Sequence, residues 1–179
     1  MSFRYYGSLR PNGGQVLVGG ATNDGLNGAT IIDNSTVVTI GDVVKIDSNG
    51  NLELAAAADA VFGILVAVER NGVSIDPDSG TTNTYTVASD NETVDKTYGI
   101  VDVSQDSLYS ASQDGTAGAT VNSNQIGAYI DIADEATLDE DTATRTRGTG
   151  GQFTTWGADI NDSTRLIVSI NESQLISGT

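Results

Sequence analysis

Residues 41–68, GDVVKIDSNGNLELAAAADAVFGILVAV, decide how this chain is read. Val44 and Ile46 alternate with Lys45 and Asp47, and Leu52 and Leu54 alternate with Asn51 and Glu53. Period-two alternation of this kind marks strands with one buried face. Between them lies Asn49-Gly50, the dipeptide that best fits a tight hairpin turn. After the small residues Ala55 to Ala60, the run Val61-Phe62-Gly63-Ile64-Leu65-Val66-Ala67-Val68 fits a strand covered on both faces. The order is strand, turn, strand, connection, buried strand.

The rest of the chain extends the same pattern. Strands are expected at about 36–40, 84–88, 98–103, 107–110, 119–121, 127–132, 152–156 and 165–170, separated by Gly, Asn and Asp. Asp76-Pro77-Asp78-Ser79-Gly80 is a turn cluster, and Asp134 to Asp141, DEATLDED, reads as a loop or a single helical turn. No stretch sustains helical periodicity, and no period of 20 to 50 residues repeats. The expected fold is all-β: a small sandwich or barrel-like domain of short antiparallel strands with an extended N-terminal arm. The arm spans residues 1–28, which are rich in Gly and Asn and too poor in apolar residues to fold alone. Its reading stays open between a disordered terminus and a segment that docks on a partner. The domain spans 29–179, with sub-lobes at 29–82 and 83–179 as a finer division.

Composition excludes more functions than it proposes. The 179 residues carry 24 acidic and 8 basic side chains, a formal charge of −16 that repels phosphate backbones and anionic membranes. Nucleic acid and membrane are therefore not expected partners. Residues 1–23 break the trend, holding Arg4 and Arg10 and no acid. With no cysteine there are no disulfides and no thiolate chemistry, and with no histidine the commonest general base is missing. The N-terminus lacks the apolar core of a signal peptide, so the chain is expected to be made in the cytoplasm.

Carboxylates are the only abundant reactive groups. A glycosidase would set two of them across a cleft usually lined with aromatics, and the chain has one tryptophan, Trp156. Calcium could use Asp76 to Gly80 or Asp139-Glu140-Asp141, but neither has the spacing of a helical calcium loop. No Gly-x-Ser-x-Gly elbow occurs, and no local motif surrounds Lys45 or Lys96. Gly148 to Gly151, after Arg145 and Arg147, lacks a phosphate-loop pattern and reads as a hairpin loop. Sequons begin at Asn34, Asn91, Asn161 and Asn171, as chance allows in so Asn- and Thr-rich a chain. The chain is not expected to be an enzyme, nor to hold a cofactor or metal.

Gly41-Asp42-Val43-Val44, a short hairpin, an alanine-rich connection and Val61-Phe62-Gly63-Ile64-Leu65-Val66 together resemble the core of small decoration (cement) proteins of tailed-bacteriophage capsids. Tyr98-Gly-Ile-Val-Asp-Val, Gln125 to Ile132 and Arg165 to Leu175 are similar in kind, so the resemblance covers about residues 36–175. It implies a virion structural protein on the outer capsid surface, bridging neighbouring major capsid subunits and acting as a dimer or trimer. The alternative is another virion or surface module: a head fibre, tail component or adhesion domain. The acid-free part of the arm, residues 1–23, supplies the expected capsid contacts, namely Phe3, Arg4, Tyr5, Tyr6 and Arg10, because aromatics and arginines dominate interface hot spots.

Overall fold

The computed structural model describes residues 3–9, 15–19, 31–70, 73–75, 84–91, 96–115, 119–146 and 151–171. Within them lie β1 (Arg4–Ser8), β2 (Leu17–Gly19), β3 (Val37–Thr39), β4 (Val43–Ile46), β5 (Leu52–Leu54), β6 (Gly63–Arg70) and β7 (Val73–Ile75). There follow β8 (Thr84–Thr86), β9 (Thr97–Asp102), β10 (Ser107–Gln113), β11 (Tyr129–Asp134), β12 (Thr137–Thr144), β13 (Phe153–Asp159) and β14 (Asp162–Ile170). The fold is all-β, and the described residues contain no helix.

The chain divides into two compact units, and neither follows the expected 82/83 boundary. The sheet unit takes Val16–Leu54 and Phe62–Val103; the barrel unit takes Met1–Gln15, Ala55–Val61 and Ser104–Thr179. A linear division fails because the alanine-rich connection leaves the sheet unit and is held in the barrel unit. There the Gln152 side-chain amide donates to the Asp59 carbonyl at 2.6 Å, and Ala55 and Val61 are buried.

The sheet unit is built on the stretch that opens the sequence reading. Its main sheet runs β2-β9-β6-β4-β5, with β7 also on β6, and β3 and β8 form a two-stranded sheet. Ile64, Leu65 and Val68 of β6 are fully buried, as a central strand requires. Ile32, Val38, Val44, Leu52, Leu65, Val68, Val87 and Val101 form one apolar cluster. The Gly41-Asp42 pair is structural. Gly41 sits at φ 98°, and the Asp42 carboxylate caps the Thr39 amide at 2.7 Å. Gly41 N–H then donates to Leu65 O and Leu65 N–H to Asp42 O, which fixes the turn to β6. Asn91 is a second clasp. Its buried amide donates to the Ile32 and Thr97 carbonyls and accepts from the Thr97 N–H, so the sequon there is engaged by the fold.

The β4–β5 turn is wider than the expected two-residue turn. Ile46 pairs with Leu52, and Gly50 alone of the Asn49-Gly50 pair has positive φ, 86°. The Asp47 carboxylate takes the amides of Asn49 and Asn51, and this local bonding outcompetes the tighter turn.

In the barrel unit β10-β12-β11-β13-β14 form a ring that the β10–β14 ladder closes. Five strands cannot close with every neighbour antiparallel, because directions must alternate around the ring. One parallel pair is required, and β10–β12 supplies it through a short register, Ser112↔Thr137 and Gln113↔Leu138. Ile130, Ile132, Leu138, Phe153, Leu166 and Val168 are fully buried.

Three further expectations need correction, the first being residues 119–121, which form no strand. Residues 134–141 are neither loop nor helical turn. They are the tip of the β11–β12 hairpin, where Leu138 turns inward while the acids face outward or edgeward. The described parts of the N-terminal arm, residues 3–9 and 15–19, also join the fold. β1 pairs antiparallel with β10 and β2 with β9, so strand edges supply the hydrogen bonds that the segment's apolar content could not secure alone.

Candidate interaction surface

β1 carries three of the five residues that the sequence nominates, Phe3 directly precedes it, and the strand separates them. Strand alternation sends Phe3 and Tyr5 towards aromatic rings of the barrel unit. Phe3 is 3% exposed with its ring 5.1 Å from that of Phe153, so it belongs to the core and is unavailable to a partner. Tyr5 meets Tyr109 edge-on at 5.8 Å yet stays 48% exposed. Tyr6, at the bulge between Tyr5 and Gly7, is 43% exposed, and Arg4 lies in register with Ser110. Arg10 falls outside the described residues. An edge strand is thus pinned at Phe3 and presents Arg4, Tyr5 and Tyr6.

Beside β1 lies a polar network. Arg165 of β14 is buried and donates from Nε to Ser110 Oγ at 2.9 Å, from one terminal nitrogen to the Ser110 carbonyl at 2.6 Å, and from the other to Ser112 Oγ. The Ser110 hydroxyl donates to Asp159 Oδ2 at 2.6 Å. That hydrogen bond holds the Asp159 carboxyl below its ordinary range, while burial pulls the Arg165 guanidinium downward. Both serine hydroxyls accept from the buried guanidinium, and Ser110 links it to the Asp159 carboxylate.

Three acids of the β11–β12 hairpin hold backbone amides. Asp131 accepts the Gln152 amide, Asp139 the Asp141 amide and Glu140 the Gly115 amide at 2.8 Å. Among the described residues no three Asp or Glu side chains come together as a metal site. The 76–80 cluster falls outside them, as do residues 148–150 of the glycine loop. Arg145 caps the turn before β11, donating to the carbonyls of Ser123 and Ile126.

Asp114 and Glu140 make a side-chain hydrogen bond that, with burial and mutual repulsion, raises the Asp114 carboxyl above its ordinary 3.8. Folded protein therefore keeps a proton that unfolded chain has lost. Stability falls as pH rises from that value through the raised one. The Asp114→Asn variant carries a permanent donor, so its urea midpoint relative to wild type should be more favourable at pH 7 than at pH 4. An equal offset at both pH values would contradict the shared proton.

The residue that sequence reasoning missed is Ile160. It is the most exposed large apolar side chain described, 86% accessible, at the tip of the β13–β14 hairpin. The signal was Asp159-Ile160-Asn161-Asp162, an aliphatic side chain in a turn otherwise made of turn residues. No protein-family model, curated protein or solved structure matches this chain.

Proposed function

We propose that this chain is a virion structural protein that binds the outer surface of a phage head and cements neighbouring major capsid subunits. The observation that carries the proposal is β1. Its tyrosines stand about half exposed on a strand fixed at one end by Phe3, in the acid-free segment of a chain of charge −16. Rigid amphipathic aromatics bury large area on docking at small entropic cost, which is the physical profile of an interface hot spot. Short ladders closed into a barrel suit a part that bears load, and high negative charge keeps crowded copies soluble.

The test is imaging of heads that lack the chain after it is added back. Even density over the outer shell is expected, and Tyr6→Ala should weaken binding about tenfold at unchanged thermal midpoint. Density confined to the tail or vertices would replace this reading with a head fibre or tail component.

A further inference from the structure

We propose that the β13–β14 hairpin tip is a second, preformed anchor for the same partner, with Ile160 entering an apolar pocket rimmed by Lys or Arg. This inference rests on the decoration reading above and names the chemistry of the surface that would receive the chain.

A single exposed apolar residue is ordinary on a protein surface. Ile160 differs in its setting. Turn positions favour Gly, Asn, Asp and Ser, and a β-branched side chain left 86% exposed contributes almost nothing to the fold. The carboxylates on either side of it are already engaged. Asp159 Oδ1 accepts the Asn161 amide at 2.8 Å while Oδ2 accepts the Ser110 hydroxyl. Asp162 Oδ1 accepts the Thr164 amide at 3.0 Å and the Thr164 hydroxyl at 2.6 Å. Ser110 is in turn held by the buried Arg165. The tip is thus tied to β10, β13 and β14, and docking it costs little further order.

Its position links it to β1. Ser110, which holds Asp159, is in register with Arg4, and the Arg4 charge acts on Asp162. Ile160 and the N-terminal strand therefore belong to one end of the barrel unit. The charge of the partner follows from the same residues. The Asp159 and Asp162 carboxyls both lie below the ordinary range, the first through Ser110 and the second through Thr164, so both are ionised at neutral pH. An aliphatic knob between two carboxylates, on a chain of charge −16, fits an apolar pocket with a basic rim.

Heads lacking the chain are titrated with wild type, Ile160→Asn and Val73→Asn at low and high salt, with thermal midpoints measured alongside. Val73 is the matched control, an exposed valine on β7 of the sheet unit. Wild-type affinity should fall as salt rises. Ile160→Asn should bind about 30-fold more weakly, mostly through faster release, at unchanged midpoint. Val73→Asn should match wild type. If wild type binds and Ile160→Asn binds equally, the anchor is refuted and the decoration reading survives. Equal losses in both variants would also refute it, and salt-independent affinity would refute the basic rim. If wild type fails to bind heads, the decoration reading and the anchor fall together.

Discussion

Gly63→Ala is expected to destabilise the sheet unit by about 3 kcal/mol, the upper end for overpacking a core. Gly63 opens β6 opposite Val44 of β4, where β9 also approaches. A Cβ built there would lie 2.4 Å from Val101 Cγ1 and 2.5 Å from the Asp102 carbonyl oxygen. The valine could rotate, but the carbonyl is backbone held within a ladder. Relief therefore requires β9 to move away from β6, across the buried Ile64, Leu65 and Val101. Gly7→Ala is the control, since nothing lies within 4 Å of its Cβ position. Urea unfolding followed by far-ultraviolet circular dichroism should show a large drop in midpoint for the first variant and almost none for the second. A neutral Gly63→Ala would mean that β6 and β9 are not so closely apposed.

The Gly41 to Val68 stretch was legible because its signals are local. Alternation, an Asn-Gly pair and a continuous apolar run each depend on residues within a few positions of one another, and β4, β5 and β6 fall where they indicate. β1 and β12 were hidden because their order comes from partners distant in sequence. β1 is paired to β10 about a hundred residues away, and the acidic β12 is held by β11 and β10 with one inward leucine. The candidate surface failed in part for the same reason. Phe3 and Tyr6 look alike in a basic aromatic segment, and only the path of the strand shows that one is core and the other surface. Asp42 and Asn91 were read as motif and sequon, yet their side chains are bonded to the backbone of the same unit.

Phe153→Ala should cost the barrel unit about 3–5 kcal/mol, because a fully buried ring at the start of β13 would leave a cavity that closed strands collapse into poorly. Its neighbours in register, Ile130 on β11 and Ile170 on β14, are themselves buried and lose contacts at once. The informative partner is Phe3, whose ring lies 5.1 Å away at an interplanar angle of 33°. Combining Phe3→Ala with Phe153→Ala in a double-mutant cycle of unfolding free energies should give a coupling of about 1 kcal/mol, typical of an aromatic pair. Zero coupling would return Phe3 to the set of available contacts. Nonzero coupling gives the N-terminal strand a division of labour. Phe3 lies inside the barrel unit while Arg4, Tyr5 and Tyr6 are held at its edge, and under the proposed docking of these three, loss of Phe3 should weaken binding only by releasing the strand that carries them.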